Sequence, residues 1–268
     1  MTNTREALEQ LRKEIRQVRD SILTAIVRMD DIKLQQIPQI RADYALKIGC
    51  WEQALLEAEL AGRRAKRRLA LAQAQANRGE TPHMDKIEAQ LDQELATWMV
   101  KAEQARLAYE HALAYLTTSS PMGKSAAQEL KRLYRMLAKR LHPDICANNK
   151  EDRAALFQLA QVAYHNGNLE ALRSLEVATR HLDAKENDLE ATDDPELLAQ
   201  ELELARIEEN IMLKRLDELK DCEEMRLGRL LANPDWVTAR TTELRRAVED
   251  WEQIRDDCNR RLKELGGI

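Results

Sequence analysis

The chain has few aromatic residues, glycines or prolines. Aromatic side chains make up 4% of its 268 residues, with one phenylalanine, and there are only 8 glycines and 6 prolines. Strands are enriched in aromatic and β-branched side chains and are bounded by turn residues, so this composition argues against a sheet protein. Ala, Leu, Glu, Gln, Lys and Arg dominate instead, as in long helices and coiled coils. We therefore predict an all-α fold.

Several kinds of functional feature are missing as well. The four cysteines are widely separated and have no metal-ligand spacing, which predicts reduced thiols and no metal site. No phosphate-binding loop, nucleophile constellation or paired carboxylates stand in a plausible context, so we expect neither an enzyme nor a cofactor. No apolar run reaches the length of a membrane span, and charged residues begin at Arg5. We therefore expect no membrane segment, no signal peptide and a cytoplasmic location.

Charge is unevenly distributed along the chain. Residues 121–187 carry 11 basic and 8 acidic side chains, whereas residues 188–268 carry 13 basic and 22 acidic ones. A mildly basic centre beside an acidic C-terminal third is not typical of a nucleic-acid-binding protein. The most basic run, residues 63–68, lies within a heptad pattern with its charges outward, and we expect Glu57, Glu59 or the opposite helix to neutralise it. We do not expect nucleic acid as a partner.

Heptad and helical periodicities divide the rest of the chain. Residues 44–76 and 82–116 have matching seams, with a short turn between them and Thr81 as the expected cap before Pro82, which predicts an antiparallel helical hairpin. Residues 195–231 and 234–265 each begin with a cap followed by proline and predict a second hairpin. We expect an N-terminal coiled-coil arm over residues 1–120, a small helical module over 121–187 and a C-terminal hairpin over 188–268. The fold would then be all-α, with long antiparallel hairpins on either side of the module.

The module is organised around residues 130–164. Residues 130–141 form an amphipathic pattern with Leu130, Tyr134, Leu137 and Leu141 on one stripe and basic side chains beside it. Ser125 and Gln128 fit a capping box at the start of this helix, and Pro143 is expected to end it. A second short helix, with Phe157, Ala163 and Tyr164 on its inner face, follows a polar loop.

Two short helices joined by a loop that carries His142-Pro143-Asp144 resemble the J-domain, through which co-chaperones activate DnaK-type chaperones. The resemblance includes the Tyr134-Arg135 and Leu137-Ala138 pairs, Phe157 and the Ala163-Tyr164 pair, and covers about residues 125–175. It implies a J-domain co-chaperone that recruits a DnaK-type chaperone and stimulates its ATPase. The helical arms would then select a client, a complex or a second copy of the chain. The residues implied in chaperone binding are His142, Pro143, Asp144, Lys131, Arg132, Arg135, Lys139 and Arg140.

The sequence also departs from the family pattern. The first helix of the family is not recognisable, and we expect residues 109–116 to occupy its place. Ile145 stands where lysine commonly follows the tripeptide, and there is neither a glycine- and phenylalanine-rich linker nor Cys-x-x-Cys repeats. These departures indicate a specialised member. The alternative is a structural coiled-coil scaffold in which the J-like module only packs and has no chaperone partner.

Overall fold

A computed structural model describes residues 2–118, 122–143, 150–180, 182 and 193–265. Within these ranges the regular structure is entirely helical and contains no strand. The helices are α1 (Thr2–Asp31), α2 (Ile37–Tyr44), α3 (Cys50–Ala76), α4 (Met84–Glu94), α5 (Ala96–Thr118), α6 (Lys124–Leu141), α7 (Lys150–His165), α8 (Leu169–Thr179), α9 (Pro195–Lys220), α10 (Glu223–Leu231) and α11 (Pro234–Glu264). The prediction of an all-α protein is confirmed.

The first three helices form one uninterrupted helical run. Short π-helical segments, Ile32–Gln36 and Ala45–Gly49, join α1 to α2 and α2 to α3. Pro38 is the second residue of α2, two positions after the last residue of the first π segment. Proline removes one backbone hydrogen bond from a helix. The run continues past Pro38, so the proline coincides with a local widening of the helix and does not end it.

Close contacts divide the chain into two compact units, each built from two separate stretches. The first unit comprises Met1–Gln39 and Thr118–Arg226, and the second comprises Ile40–Thr117 and Leu227–Ile268. The predicted division into 1–120, 121–187 and 188–268 differs from this arrangement. Each predicted domain is one continuous stretch of sequence, whereas each observed unit combines an early stretch with a late one.

In the first unit, α1 packs along α9. Leu8 and Ile15 of α1 contact Leu198 and Leu202 near the start of α9, and Ala25 lies in the same cluster as Leu216 further along it. The two helices therefore run in the same direction. The other half of this unit is formed by α6, α7 and α8, and Leu23 of α1 belongs to their core.

In the second unit, α3 packs along α11. Contacts run from Ile48 with Leu244 to Ala72 with Leu262, so this pair is also parallel. Gly62 allows the close approach at its middle, because a Cβ atom on Gly62 would lie only 2.6 Å from a ring carbon of Trp251.

The C-terminal hairpin predicted for α9 and α11 is not the main packing of either helix. The most extensive packing of α9 is with α1 and that of α11 is with α3. Within the second unit, α4 does turn back along the end of α3, where Ile87 and Leu91 contact Ala72. Heptad spacing identified the apolar faces of these helices without identifying the helix that each face contacts.

Among the described residues, no helix combines the length and hydrophobicity needed to cross a bilayer.

Candidate functional site

Helix α6 carries the predicted site and ends immediately before it. The helix begins at Lys124, and its N-terminal cap position is Gly123, which has no side chain to bond. The prediction that Ser125 caps this helix is therefore wrong by two residues. At the other end, the backbone N–H of His142 donates to the carbonyl of Ala138 over 2.9 Å, and His142 itself is extended. The prediction that Pro143 ends the helix is confirmed, since a residue before proline avoids helical geometry.

An aromatic stack holds α6 against α7. The ring of Tyr134 lies 4.2 Å from that of Tyr164 and 6.1 Å from that of Phe157, centroid to centroid, in stacked orientations. All three side chains are buried, together with Leu130, Leu137 and Leu141 of the predicted apolar stripe. Aromatic pairs of this kind add about 0.5–1.5 kcal/mol to the stabilisation that comes from burial. The stack fixes the end of α6 relative to α7.

Two carboxylates of α1 accept hydrogen bonds from these tyrosines. The Tyr134 hydroxyl donates to Asp30 over 2.5 Å, and the Tyr164 hydroxyl donates to Asp31 over 2.8 Å. Burial raises the pKa of both tyrosine hydroxyls, and the neighbouring carboxylates raise it further. Both hydroxyls thus stay protonated and remain donors. This part of α1 was not recognised from sequence as belonging to the module.

Asp31 is the most heavily bonded of these groups. Its carboxylate also accepts from Gln36 over 2.9 Å and lies 3.1 Å from the ammonium of Lys131. Burial is the largest single influence on the pKa of Asp31 and raises it. The bonds from Tyr164, Gln36 and Lys131 together have a greater effect, so the pKa lies below its usual value. Asp31 is therefore a buried, ionised and well-bonded carboxylate that ties α1 to both α6 and α7.

The π segment after α1 supplies a further link to α7. The side-chain amide of Gln35 donates to the carbonyl of Tyr164 over 2.5 Å, and a ring nitrogen of His165 lies 2.7 Å from the carbonyl of Leu34. The last carbonyls of a helix lack partners within that helix. Gln35 therefore satisfies the C-terminal end of α7, and α1 with its π segment supports the module. The predicted substitute for the missing first helix, residues 109–116, belongs instead to the second unit.

His142 is half-buried and packs on the module itself. Its ring meets the ring of Phe157 edge to face, with centroids 4.8 Å apart. The residue also lines a cleft of about 460 Å³ between α1 and α9. The charged residues around this cleft are Asp30, Lys33, Arg215 and Glu218. The imidazole thus lies beside charges of both signs contributed by two other helices.

The rest of the predicted tripeptide is only partly described. Pro143 is half-buried in a turn after α6. Asp144, the third member, lies outside the described residues. The structure therefore gives the position at which the loop leaves α6, and the predicted role of Asp144 stays a prediction.

Four of the five predicted basic residues on α6 are exposed, namely Lys131, Arg132, Arg135 and Lys139. Two of these also contact α1, since Lys131 pairs with Asp31 and Arg135 donates to the Thr24 hydroxyl over 3.0 Å. A basic surface therefore continues along α6, with its first part adjoining α1.

Arg140 is an exception, and its predicted place on the exposed basic face is wrong. Only 6% of the residue is exposed. Its guanidinium donates to the carbonyl of Glu176 over 3.0 Å and to the Thr179 hydroxyl over 2.9 Å, both near the C-terminus of α8. A helix C-terminus attracts positive charge and needs donors for its last carbonyls. Arg140 follows the buried Leu133 and Leu137 by seven and three residues, which places it at the edge of the apolar stripe.

Arg153 at the start of α7 is a second buried arginine that sequence reasoning missed. It is 6% exposed and donates to the carbonyl of Arg140 over 3.3 Å. Its Nε has no hydrogen-bond partner among the described residues. Arg140 and Arg153 together close the module between the ends of α6, α7 and α8.

The basic run at residues 63–68 is used inside the second unit. Arg64 and Arg68 bond Glu88 of α4, Arg67 bonds Glu94, and Arg63 bonds Glu59 of its own helix. The guanidinium of Arg63 also lies 4.2 Å from the ring centre of Trp98. Of the expected partners, Glu59 takes part, and the opposite helix supplies Glu88 and Glu94 from α4. These charges hold α4 against α3.

Comparison with known proteins does not extend the resemblance seen in sequence. No protein-family model, curated protein or solved structure matches the chain. Among the described residues, no cluster of three or more histidine, cysteine or carboxylate side chains has the arrangement of a metal site.

Proposed function

We propose that this protein is a specialised, cytoplasmic J-domain-type co-chaperone that recruits a DnaK-type chaperone and stimulates its ATPase. The observation that carries the proposal is the position of His142 and Pro143, the first two residues of the tripeptide. The tripeptide begins where a basic amphipathic helix ends, and an aromatic stack holds that helix against α7. This packing supports the proposal by holding the end of α6, from which the tripeptide begins, in a fixed position relative to α7.

In this proposal the loop from His142 docks on the chaperone and has no catalytic chemistry of its own. Pro143 restricts the backbone where the chain leaves α6. The exposed side chains Lys131, Arg132, Arg135 and Lys139 face an acidic surface of the chaperone. The loop presents His142 and Asp144 to the ATPase. Charge pairing across such an interface speeds encounter and fixes register, so docking should weaken as salt rises. Arg140 acts inside the module and positions the end of α6.

The helices outside the module select what is delivered to the chaperone. We propose that the long helices of both units act as coiled-coil arms that bind a client or a complex. Their length suits this role, because α3 and α11 span 27 and 31 residues. The chemistry of the client is left open.

Single-turnover ATP hydrolysis by a DnaK-type chaperone tests the proposal. The purified protein should accelerate hydrolysis, and Asp144→Asn or His142→Gln should remove the effect while the helical circular dichroism spectrum stays unchanged. Failure of the wild-type protein with every DnaK-type chaperone of its host would refute the proposal.

A charge-reversal pair tests the role of α6. Lys139→Glu should reduce stimulation several-fold at low salt and less at high salt, since exposed interface charges act mainly on association. Lys263→Glu, an exposed lysine near the end of α11, is the matched control and should leave stimulation unchanged. Equal effects of the two variants would remove α6 from the docking surface.

The scaffold alternative is favoured by one observation, the packing of His142 on Phe157. In that case the tripeptide stabilises the module and has no chaperone partner. His142→Gln would then lower the melting temperature, and neither this variant nor Asp144→Asn would change any ATPase rate. The ATPase rates of the wild-type protein and the two variants therefore distinguish the two functions.

A further inference from the structure

Helix α9 is apolar on two different faces. One face carries Leu198, Leu202, Ala205 and Leu216, all buried, and α1 covers it. The other carries four large apolar side chains that are 45–64% exposed, namely Leu197, Leu204, Ile207 and Ile211. A helix with a single packing partner needs only one apolar stripe. The second stripe therefore calls for a partner of its own.

The four exposed side chains form one continuous line. Their spacings of seven, three and four residues place them on the same face over about 21 Å of helix. Together they expose on the order of 300–400 Å² of apolar surface, a size at which an exposed patch is often functional. Apolar residues scattered singly over a surface would not align in this way.

The charges beside the stripe are acidic before Ile207 and mixed after it. Glu196, Glu201 and Glu203 stand before Ile207, and Glu208, Lys214, Arg215 and Glu218 stand after it. Two copies of α9 packed antiparallel would bring Glu203 of each copy beside Lys214 of the other, with the two Glu208 side chains near the middle. A parallel pair would place Glu203 beside Glu203 and Lys214 beside Lys214, which is unfavourable. The Glu203–Lys214 pairing therefore favours the antiparallel orientation.

We propose that the chain forms a homodimer through antiparallel packing of this α9 stripe. The twofold axis passes near Glu208 and Glu209, so that Ile207 of each copy meets Ile211 of the other. Lys214 then lies beside Glu203 of the second copy. The apolar area is small for a stable interface, so we expect a dimer dissociation constant of roughly 10–100 µM. The proposal does not depend on the proposed chaperone function.

Sedimentation equilibrium of the full chain across about 1–300 µM tests the dimer directly, because this range spans the expected dissociation constant. The wild-type protein should pass from monomer to dimer, and Leu204→Glu should weaken the dimer at least tenfold. Val177→Glu is the matched control, since Val177 of α8 is 59% exposed and lies off the stripe. It should leave association unchanged. A wild-type chain that stays monomeric throughout overturns the proposal.

A charge swap tests the orientation. Glu203→Lys and Lys214→Glu should each weaken the dimer several-fold, because each change places like charges side by side twice per dimer. The double variant restores opposite charges and should return to within about twofold of wild type, a coupling that independent sites do not show. Residues 203 and 214 are three turns apart on one helix, so contact within a single chain cannot produce this rescue. Additive losses in the double variant would overturn the antiparallel arrangement.

Discussion

Asp31 shows how one buried carboxylate can join three helices. Asp31→Asn should lower the free energy of unfolding by about 2 kcal/mol at pH 7, the usual size for hydrogen bonds to a charged group. The pKa of Asp31 is lower in the folded chain than in the unfolded chain, where it is about 4. The ionised carboxylate therefore contributes fully to the free energy of unfolding above about pH 4, and this contribution is lost as pH falls through the folded pKa. Urea unfolding at pH 7 and at pH 3 checks this. A difference between variant and wild type that stays constant over this range would contradict it.

Arg140 and Lys139 are neighbours in sequence with opposite environments. Arg140→Met should destabilise the chain by about 2 kcal/mol, because the carbonyl of Glu176 and the Thr179 hydroxyl lose a buried charged donor. Lys139→Met should change stability by less than about 0.5 kcal/mol, as is usual at an exposed site. Thermal or urea unfolding of the two variants measures both values. Equal losses would show that the inward position of Arg140 does not matter.

These two residues also show what could be predicted at this scale. The apolar stripe of α6 was evident from spacing, because burial repeats every three or four residues. The inward turn of Arg140 was not, since a long side chain near the edge of a stripe can point either way. Its direction is decided by the C-terminal carbonyls of α8, which lie 36 and more residues later in the chain.

At the scale of helix pairs, Gly62 is the contact most sensitive to change. Gly62→Ala should destabilise the chain by about 1–3 kcal/mol, because the new methyl group meets the Trp251 ring and forces α3 and α11 apart. Gly49→Ala is the matched control. Its methyl would make only ordinary contacts at 3.7 Å, and replacing a helical glycine should stabilise by about 0.5–1 kcal/mol. Opposite signs in unfolding experiments are the expected result.

Helix positions were largely predictable from the sequence, and helix partners were not. The cap at Asp194 followed by Pro195, and that at Asn233 followed by Pro234, mark true helix starts whose side chains accept backbone N–H bonds. Such signals are local and depend on a few consecutive residues. Pairing depends on matching faces such as Gly62 with Trp251, which are far apart in sequence. A short turn therefore suggested neighbours for α9 and α11 that their packing does not favour.

At the scale of the whole chain, the J-like module depends on residues outside its predicted limits. A fragment of residues 121–187 lacks Leu23, Asp30 and Asp31, which provide part of its core and the acceptors for two tyrosine hydroxyls. We expect this fragment to show reduced helicity and a broad thermal transition. Supplying residues 1–39 as a separate peptide should raise its helicity, measured by circular dichroism. A fragment that unfolds as cooperatively as the full chain would contradict this.

The parallel pairing of early and late helices has a consequence for synthesis. Arg12 meets Asp193, Glu14 meets Arg206 and Glu52 meets Arg240, so partners are separated by 181 to 192 residues. At translation rates of about 5–20 residues per second, α1 and α3 would wait roughly 10–40 s for their partners to emerge. During that interval their apolar faces are uncovered on the ribosome. The nascent chain itself should thus be prone to aggregation until almost its last helix has been made.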